Sequence, residues 1–171
     1  MEKIEEQTKF LEAKKIRKKK FEDFLKDLSD EYEVYVPAGK NELISFERFP
    51  LEEGEIFVKY TRTMLPAKKI LFPNDMVLME IKEEKVEEKL PEKKIAIVGL
   101  HLCDINALKI VDAMLSREYP DSYYLKVREN SILIGVECIP DDKCFCLSMR
   151  TNRVENGFDL FFLDGDEEYY Y

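Results

Sequence analysis

Two short runs with no charged or hydrogen-bonding side chain, Ile95-Ala-Ile-Val98 and Ile132-Leu-Ile-Gly-Val136, constrain the fold more than any other feature of this chain. A strand that is apolar at every position has to be covered on both faces, which happens in parallel sheets flanked by helices. Between the two runs, residues 104 to 115 carry Leu108, Val111 and Leu115 on one helical stripe, and residues 122 to 129 read as a second helix. Strand, helix and strand over this length make a crossover unit with a parallel pair. Residues 158 to 163 and 167 to 171 are expected to add strands at its edge.

The first half is less regular. Phe10, Leu11, Phe21, Phe24, Leu25 and Leu28 recur at helical spacing, which predicts one amphipathic helix over residues 8 to 28. Residues 32 to 36, 43 to 46 and 56 to 59 are short, β-prone and bounded by Pro37, Gly39, Pro50 and Gly54, as expected of a small antiparallel region. Residues 61 to 73 read as a loop and 77 to 81 as another strand. Residues 83 to 94 are almost purely charged and predict a boundary. The expected organisation is a helix with a small β lobe over 1–82, a charged linker over 83–94 and an α/β lobe over 95–171. The fold class is α/β, within an α+β mixture.

Charge narrows the possible partners. With 27 basic and 36 acidic residues the formal net charge is −9, which argues against nucleic acid, whose phosphates need a clustered positive surface. Residues 1 to 20 hold eight Lys or Arg against four Glu, whereas residues 155 to 171 hold six acids and no base, so the two ends suit complementary surfaces. The charged N-terminus has no signal-peptide core, and no apolar run approaches the ~18 residues a membrane helix needs. A cytoplasmic protein without membrane contact is expected.

In that reducing setting the cysteines Cys103, Cys138, Cys144 and Cys146 read as thiolate ligands rather than disulfides. Cys103 falls at the start of the first crossover helix and Cys138 just past the second apolar strand, so both belong at the carboxyl edge of the parallel pair, where α/β proteins bind ligands. Cys144 and Cys146 follow in an irregular loop able to fold back over that edge. Four thiolates suit an iron-sulfur cluster, and the helix N-terminus beside Cys103 is expected to favour the thiolates and an anionic cluster. A four-cysteine zinc site and four idle thiols remain alternatives. His101, the single histidine, is expected to be a partly buried, satisfied imidazole, with tuning of the cluster through a hydrogen bond or ligation of a metal as its functional alternatives, and Asp104 to serve the helix N-terminus. The Tyr123-Tyr124 pair and Tyr169 to Tyr171 read as packing or interface rather than chemistry. One histidine and singly scattered glycines offer no hydrolytic triad and no phosphate loop, so no catalytic residues are assigned.

Residues 101–108 (His-Leu-Cys-Asp-Ile-Asn-Ala-Leu), 121–124 (Asp-Ser-Tyr-Tyr), 144–149 (Cys-Phe-Cys-Leu-Ser-Met) and 157–160 (Gly-Phe-Asp-Leu) resemble, in that order, the N-terminal region of a family comprising the sulfhydrogenase beta subunits and the corresponding subunits of anaerobic sulfite reductase. Residues 68–73 and 21–25 fit the same family. The resemblance implies an electron-transfer subunit with one 4Fe-4S cluster on the four cysteines, working in a hydrogenase- or sulfite-reductase-like oxidoreductase complex. It further implies a flavin-bearing or catalytic redox partner and, since such proteins carry two more clusters in a C-terminal domain and no cysteine follows Cys146 here, either a separate ferredoxin-like subunit or a shortened route for the electrons. This chain departs from the family at His101-Leu102, where Arg-Pro is frequent, and at Arg150-Thr151-Asn152, which replaces a Gly-rich turn. A zinc-stabilised interaction module and a redox enzyme in its own right are the alternative functions.

Overall fold

A computed structural model describes residues 13–40, 43–83 and 85–171. In chain order its elements are β1 (Ile16–Arg17), a 3-10 turn (Lys18–Lys20), α1 (Phe21–Ser29), β2 (Glu33–Lys40), β3 (Leu43–Arg48), β4 (Glu55–Ile56), α2 (Lys68–Leu71), β5 (Met79–Lys82), β6 (Lys85–Glu88), β7 (Ile95–Leu100), α3 (Leu102–Leu115), α4 (Ser122–Glu129), β8 (Ser131–Val136), β9 (Leu160–Phe162) and β10 (Tyr169–Tyr170). The main sheet runs β3-β2-β7-β8-β9, with β4 also on β2. Its central pairs, β2 with β7, β7 with β8 and β8 with β9, are parallel, while β3 and β4 lie antiparallel to β2. This is the expected α/β architecture, a mixed sheet with helices and a parallel core.

Every residue of β7 is buried, which is why that run is wholly apolar. Its alternation divides two cores. Ala96 and Val98 face α1, packing with Phe21, Leu25, Val34, Val36, Ile134, Val136 and Phe162. Ile95 and Ile97 face the other helices, among Leu71, Leu100, Ile105, Leu108, Tyr124, Val127 and Leu133. The predicted helix over 122 to 129 forms as α4, capped by Asp121, whose carboxylate accepts the Tyr124 N–H at 2.9 Å.

β2 is longer than expected, because Pro37 and Gly39 lie inside it. Parallel pairing with β7 runs only to Tyr35 opposite Ile97, just before Pro37, which has no N–H to give. Beyond that point β2 continues on β3 and β4. β7 turns away there at Gly99, whose φ is +97° and where a Cβ would lie 2.7 Å from Pro37 Cδ, leaving no room for a side chain. The antiparallel strands of the first half are thus continuous with the parallel sheet.

Several expected elements differ. Residues 8 to 12 lie outside the described residues, and the helix begins only at Phe21. The basic stretch before it has few apolar positions to bury, and instead forms β1 and the 3-10 turn against the acidic C-terminal segment. β1 pairs antiparallel with β10, Lys18 bonds Asp164, Arg17 lies 3.6 Å from Glu168, and Lys15 and Lys18 sit over the rings of Tyr169 and Tyr170. The opposite charges of the two ends therefore meet each other, and 169–170 does not extend the main sheet as expected. The loop over 61 to 73 contains α2, and the charged run includes β6, which closes a separate hairpin on β5. Among the described residues no helix is long and apolar enough to cross a membrane.

Candidate metal centre

β7 ends at Leu100, His101 is the N-cap of α3 in extended conformation, and Cys103 lies in the helix's first turn. The His101 side chain does not cap the helix; instead Asp104, three residues on, accepts the His101 backbone N–H, as the acid of a capping box does. On the neighbouring strand, Leu100 pairs with Gly135 in β8, so β7 and β8 end side by side. Glu137 donates its N–H to the Phe162 carbonyl at 3.1 Å, and Cys138 follows. Cys103 and Cys138 therefore leave the same carboxyl edge.

The loop carrying Cys144 and Cys146 is held at both ends. Asp141 accepts the Lys143 N–H on its carboxylate at 2.9 Å, its carbonyl accepts the Cys144 N–H at 3.2 Å, and Arg62 grips its other oxygen at 3.0 Å. Downstream, Thr151 N–H donates to the Cys146 carbonyl at 2.8 Å. Asn106, one turn along α3 from Cys103, donates its amide to the carbonyls of Leu102, Thr151 and Arg153 at 2.8–3.0 Å, pinning the returning loop to the helix.

All four cysteines are free and partly buried. Burial pushes the Cys138 thiol up to about 11, and Cys103, Cys144 and Cys146 are each close enough to push it further. Cys103 is also raised to about 11, by burial first, then by Asp104 and Cys146. The expected pull of the helix N-terminus is present, since the N–H groups of Asp104 and Cys103 favour the thiolate, but burial outweighs it. Asp141, accepting the Cys144 S–H, holds that thiol up as well. Such thiols stay protonated until a cation supplies the charge that removes their protons.

His101 is 4% exposed and lies flat against Tyr60, with ring centroids 4.0 Å apart. Burial lowers its pKa to about 4, against the opposing effect of the Tyr60 carbonyl, which accepts a ring N–H. Among the described residues its Nε2 has no hydrogen-bond partner. The ligand atoms of His101, Cys103 and Asp104 lie within 4.8 Å of one another. Tyr60 donates its hydroxyl to the Gly99 carbonyl at 2.6 Å, and its phenol is raised by burial and by nearby Asp104, Cys138 and Cys103. On the solvent side Ile139, Phe145, Leu147 and Met149 are exposed, Phe145 by 80%.

Sequence reasoning placed Cys103, Cys138, Cys144, Cys146, His101 and Asp104 at this edge; His101, Cys103 and Asp104 come within 4.8 Å of one another there, and Cys138 lies near enough to Cys103, Cys144 and Cys146 to be shifted by them. It missed Tyr60, Arg62, Asn106 and the clasp role of Asp141. Only Asn106 carried a usable signal, its place one helical turn after Cys103.

Fold and site together define a class of protein: a mixed α/β sheet whose parallel strands end in a cysteine-lined edge. Over the region it shares with its relative, the chain is similar to the sulfhydrogenase beta subunits, being 34% identical over 147 residues to Sulfhydrogenase 2 subunit beta of Pyrococcus furiosus, and this likeness supports that family. The match covers 86% of this chain and 44% of that protein, so the chain spans less than half the length of the curated relative it matches. No protein-family model matches the chain, and no solved structure does.

Proposed function

We propose that the chain is an electron-transfer subunit holding one 4Fe-4S cluster on Cys103, Cys138, Cys144 and Cys146, within a hydrogenase- or sulfite-reductase-like complex. The observation that carries this reading is the meeting of four thiols from two adjacent parallel strand ends and one clasped loop, near enough that Cys138 feels the other three. The donor set suits such a group: four cysteine sulfurs, with backbone N–H groups at Cys103 and Asp104 to offset negative charge. A bound cluster would supply one-electron redox capacity.

The chain's own residues hold and shelter the site. Tyr60 and His101 cover it from the protein side, Asp104 keeps the helix end closed, and Asn106 with the Arg62–Asp141 pair holds the cysteine loop against it. The relative's name describes one subunit of a larger assembly, which supports a role beside other redox chains, one ferredoxin-like, another flavin-bearing or catalytic. Ile139, Phe145, Leu147 and Met149 flank the loop cysteines with apolar surface suited to such a neighbour.

A four-cysteine zinc would draw all four sulfurs within about 4 Å of one another. Among the described residues, the group of three or more potential ligands within 4.8 Å contains a single thiol, Cys103. Anaerobic purification followed by iron and sulfide assay and a visible spectrum tests the reading. Iron and acid-labile sulfide with a broad visible band are expected; zinc held by all four thiolates in their place would overturn it.

A further inference from the structure

We infer that His101, Cys103 and Asp104 form a binding site for a single borderline-soft divalent cation, of the zinc and ferrous class, in the chain that carries no cluster. The ligand atoms of the three residues lie within 4.8 Å of one another. Bonds of about 2.0–2.3 Å to nitrogen, oxygen and sulfur put tetrahedral ligands about 3.3–3.8 Å apart, so closure needs shifts on the order of an ångström.

Two independent observations point to a ligand. His101 is 4% exposed and its Nε2 is without a partner among the described residues, although buried polar atoms are nearly always hydrogen-bonded. Its other ring nitrogen donates to the Tyr60 carbonyl, which leaves Nε2 with a free lone pair on a fixed ring. Metal-binding histidines are oriented in this way, with the second nitrogen donating to a backbone carbonyl or a carboxylate. Asp104 accepts the His101 N–H and Tyr60 stacks on the imidazole, so the ligands are held by their own supports.

The charges also balance. A helix N-terminus repels a bare cation, but one thiolate, one carboxylate and a neutral imidazole make a neutral complex with a divalent ion, and leave a fourth position open. Cys103 is shared with the proposed cluster, so the two occupants exclude each other. An iron ion held here stands at the edge that carries the other three cysteines, a suitable first stop in loading. The binding itself is independent of whether the chain ever carries a cluster.

Titration of the full-length, cluster-free, reduced chain with Co(II) tests this by absorption. We expect one ion per chain, with a thiolate-to-cobalt band of the strength given by a single Co–S bond. His101→Phe, which keeps the stacking and removes both nitrogens, and Asp104→Asn should each weaken binding roughly tenfold or more, with helix content unchanged by circular dichroism. Cys138→Ala, Cys144→Ala and Cys146→Ala should bind Co(II) as the parent does. A band of four-thiolate strength lost in those three variants, or unchanged binding in a folded His101→Phe chain, would overturn the inference. Loss of iron and sulfide from the three cysteine variants reports separately on the cluster reading.

Discussion

The imidazole of His101 lies on the phenol of Tyr60 with ring planes 20° apart, and the Tyr60 hydroxyl bonds the carbonyl of Gly99, two residues before that histidine. A residue from the end of the antiparallel region thereby locks the turn between β7 and α3, from which the first cysteine projects.

Removing that lock should be costly. Tyr60→Ala takes away a partly buried ring, and its cost should fall at the low end of the range of about 3–5 kcal/mol for aromatic truncations in a core. Tyr60→Phe keeps the stack and loses one hydrogen bond, worth about 1 kcal/mol. Urea unfolding of both variants checks the order, and equal losses would show that packing on His101 contributes nothing.

Each cysteine should be needed for the proposed cluster. Single replacement of Cys103, Cys138, Cys144 or Cys146 by Ala should lower iron and sulfide content and bleach the visible band in anaerobically prepared protein. A variant that retains full content with an unchanged spectrum would remove that residue from the ligand set.

The paired ends make stability depend on acid. Lys18 and Lys59 hold the Asp164 carboxyl below its ordinary value. A group depressed in the folded state adds stability above its unfolded pKa, and loses it as pH falls through the folded value. Asp164→Asn should therefore lower stability at pH 7 by about 1 kcal/mol or less, the scale of partly exposed pairs. Thermal unfolding at neutral pH and again well below the carboxylate range should show the difference between the two proteins shrinking; a constant difference would count against the pairing.

Asn106→Ala should loosen the cysteine loop and spare the sheet. It releases three carbonyls, at Leu102, Thr151 and Arg153, from one amide, a loss of about 1–3 kcal/mol where these groups stay buried. Hydrogen exchange should speed up in residues 141–153 while β7 and β8 keep their protection. Unchanged loop exchange would mean that the Arg62–Asp141 pair suffices.

Gly99→Ala joins a strained φ of +97° to a Cβ placed 2.7 Å from Pro37 Cδ. The cost should exceed about 1 kcal/mol, read as a lowered melting temperature. A neutral substitution would show that β2 yields at Pro37.

Much of the second half was legible because its signals are local. Uninterrupted apolar runs specify strands buried on both faces, the stripe of Leu108, Val111 and Leu115 specifies a packed helix, and these determine which edge carries Cys103 and Cys138. What sequence alone could not place depended on pairing between distant segments. β2 joins β7 across some sixty residues of chain, the basic start finds its partner at the acidic end, and Tyr60 reaches His101 only because β2 and its antiparallel neighbours extend that same sheet. Thiol protonation was likewise decided by tertiary burial, which overrides the helix end that the sequence placed beside Cys103. Hydrophobic periodicity reports which face of a segment is covered; which distant segment covers it is settled only when the chain has folded.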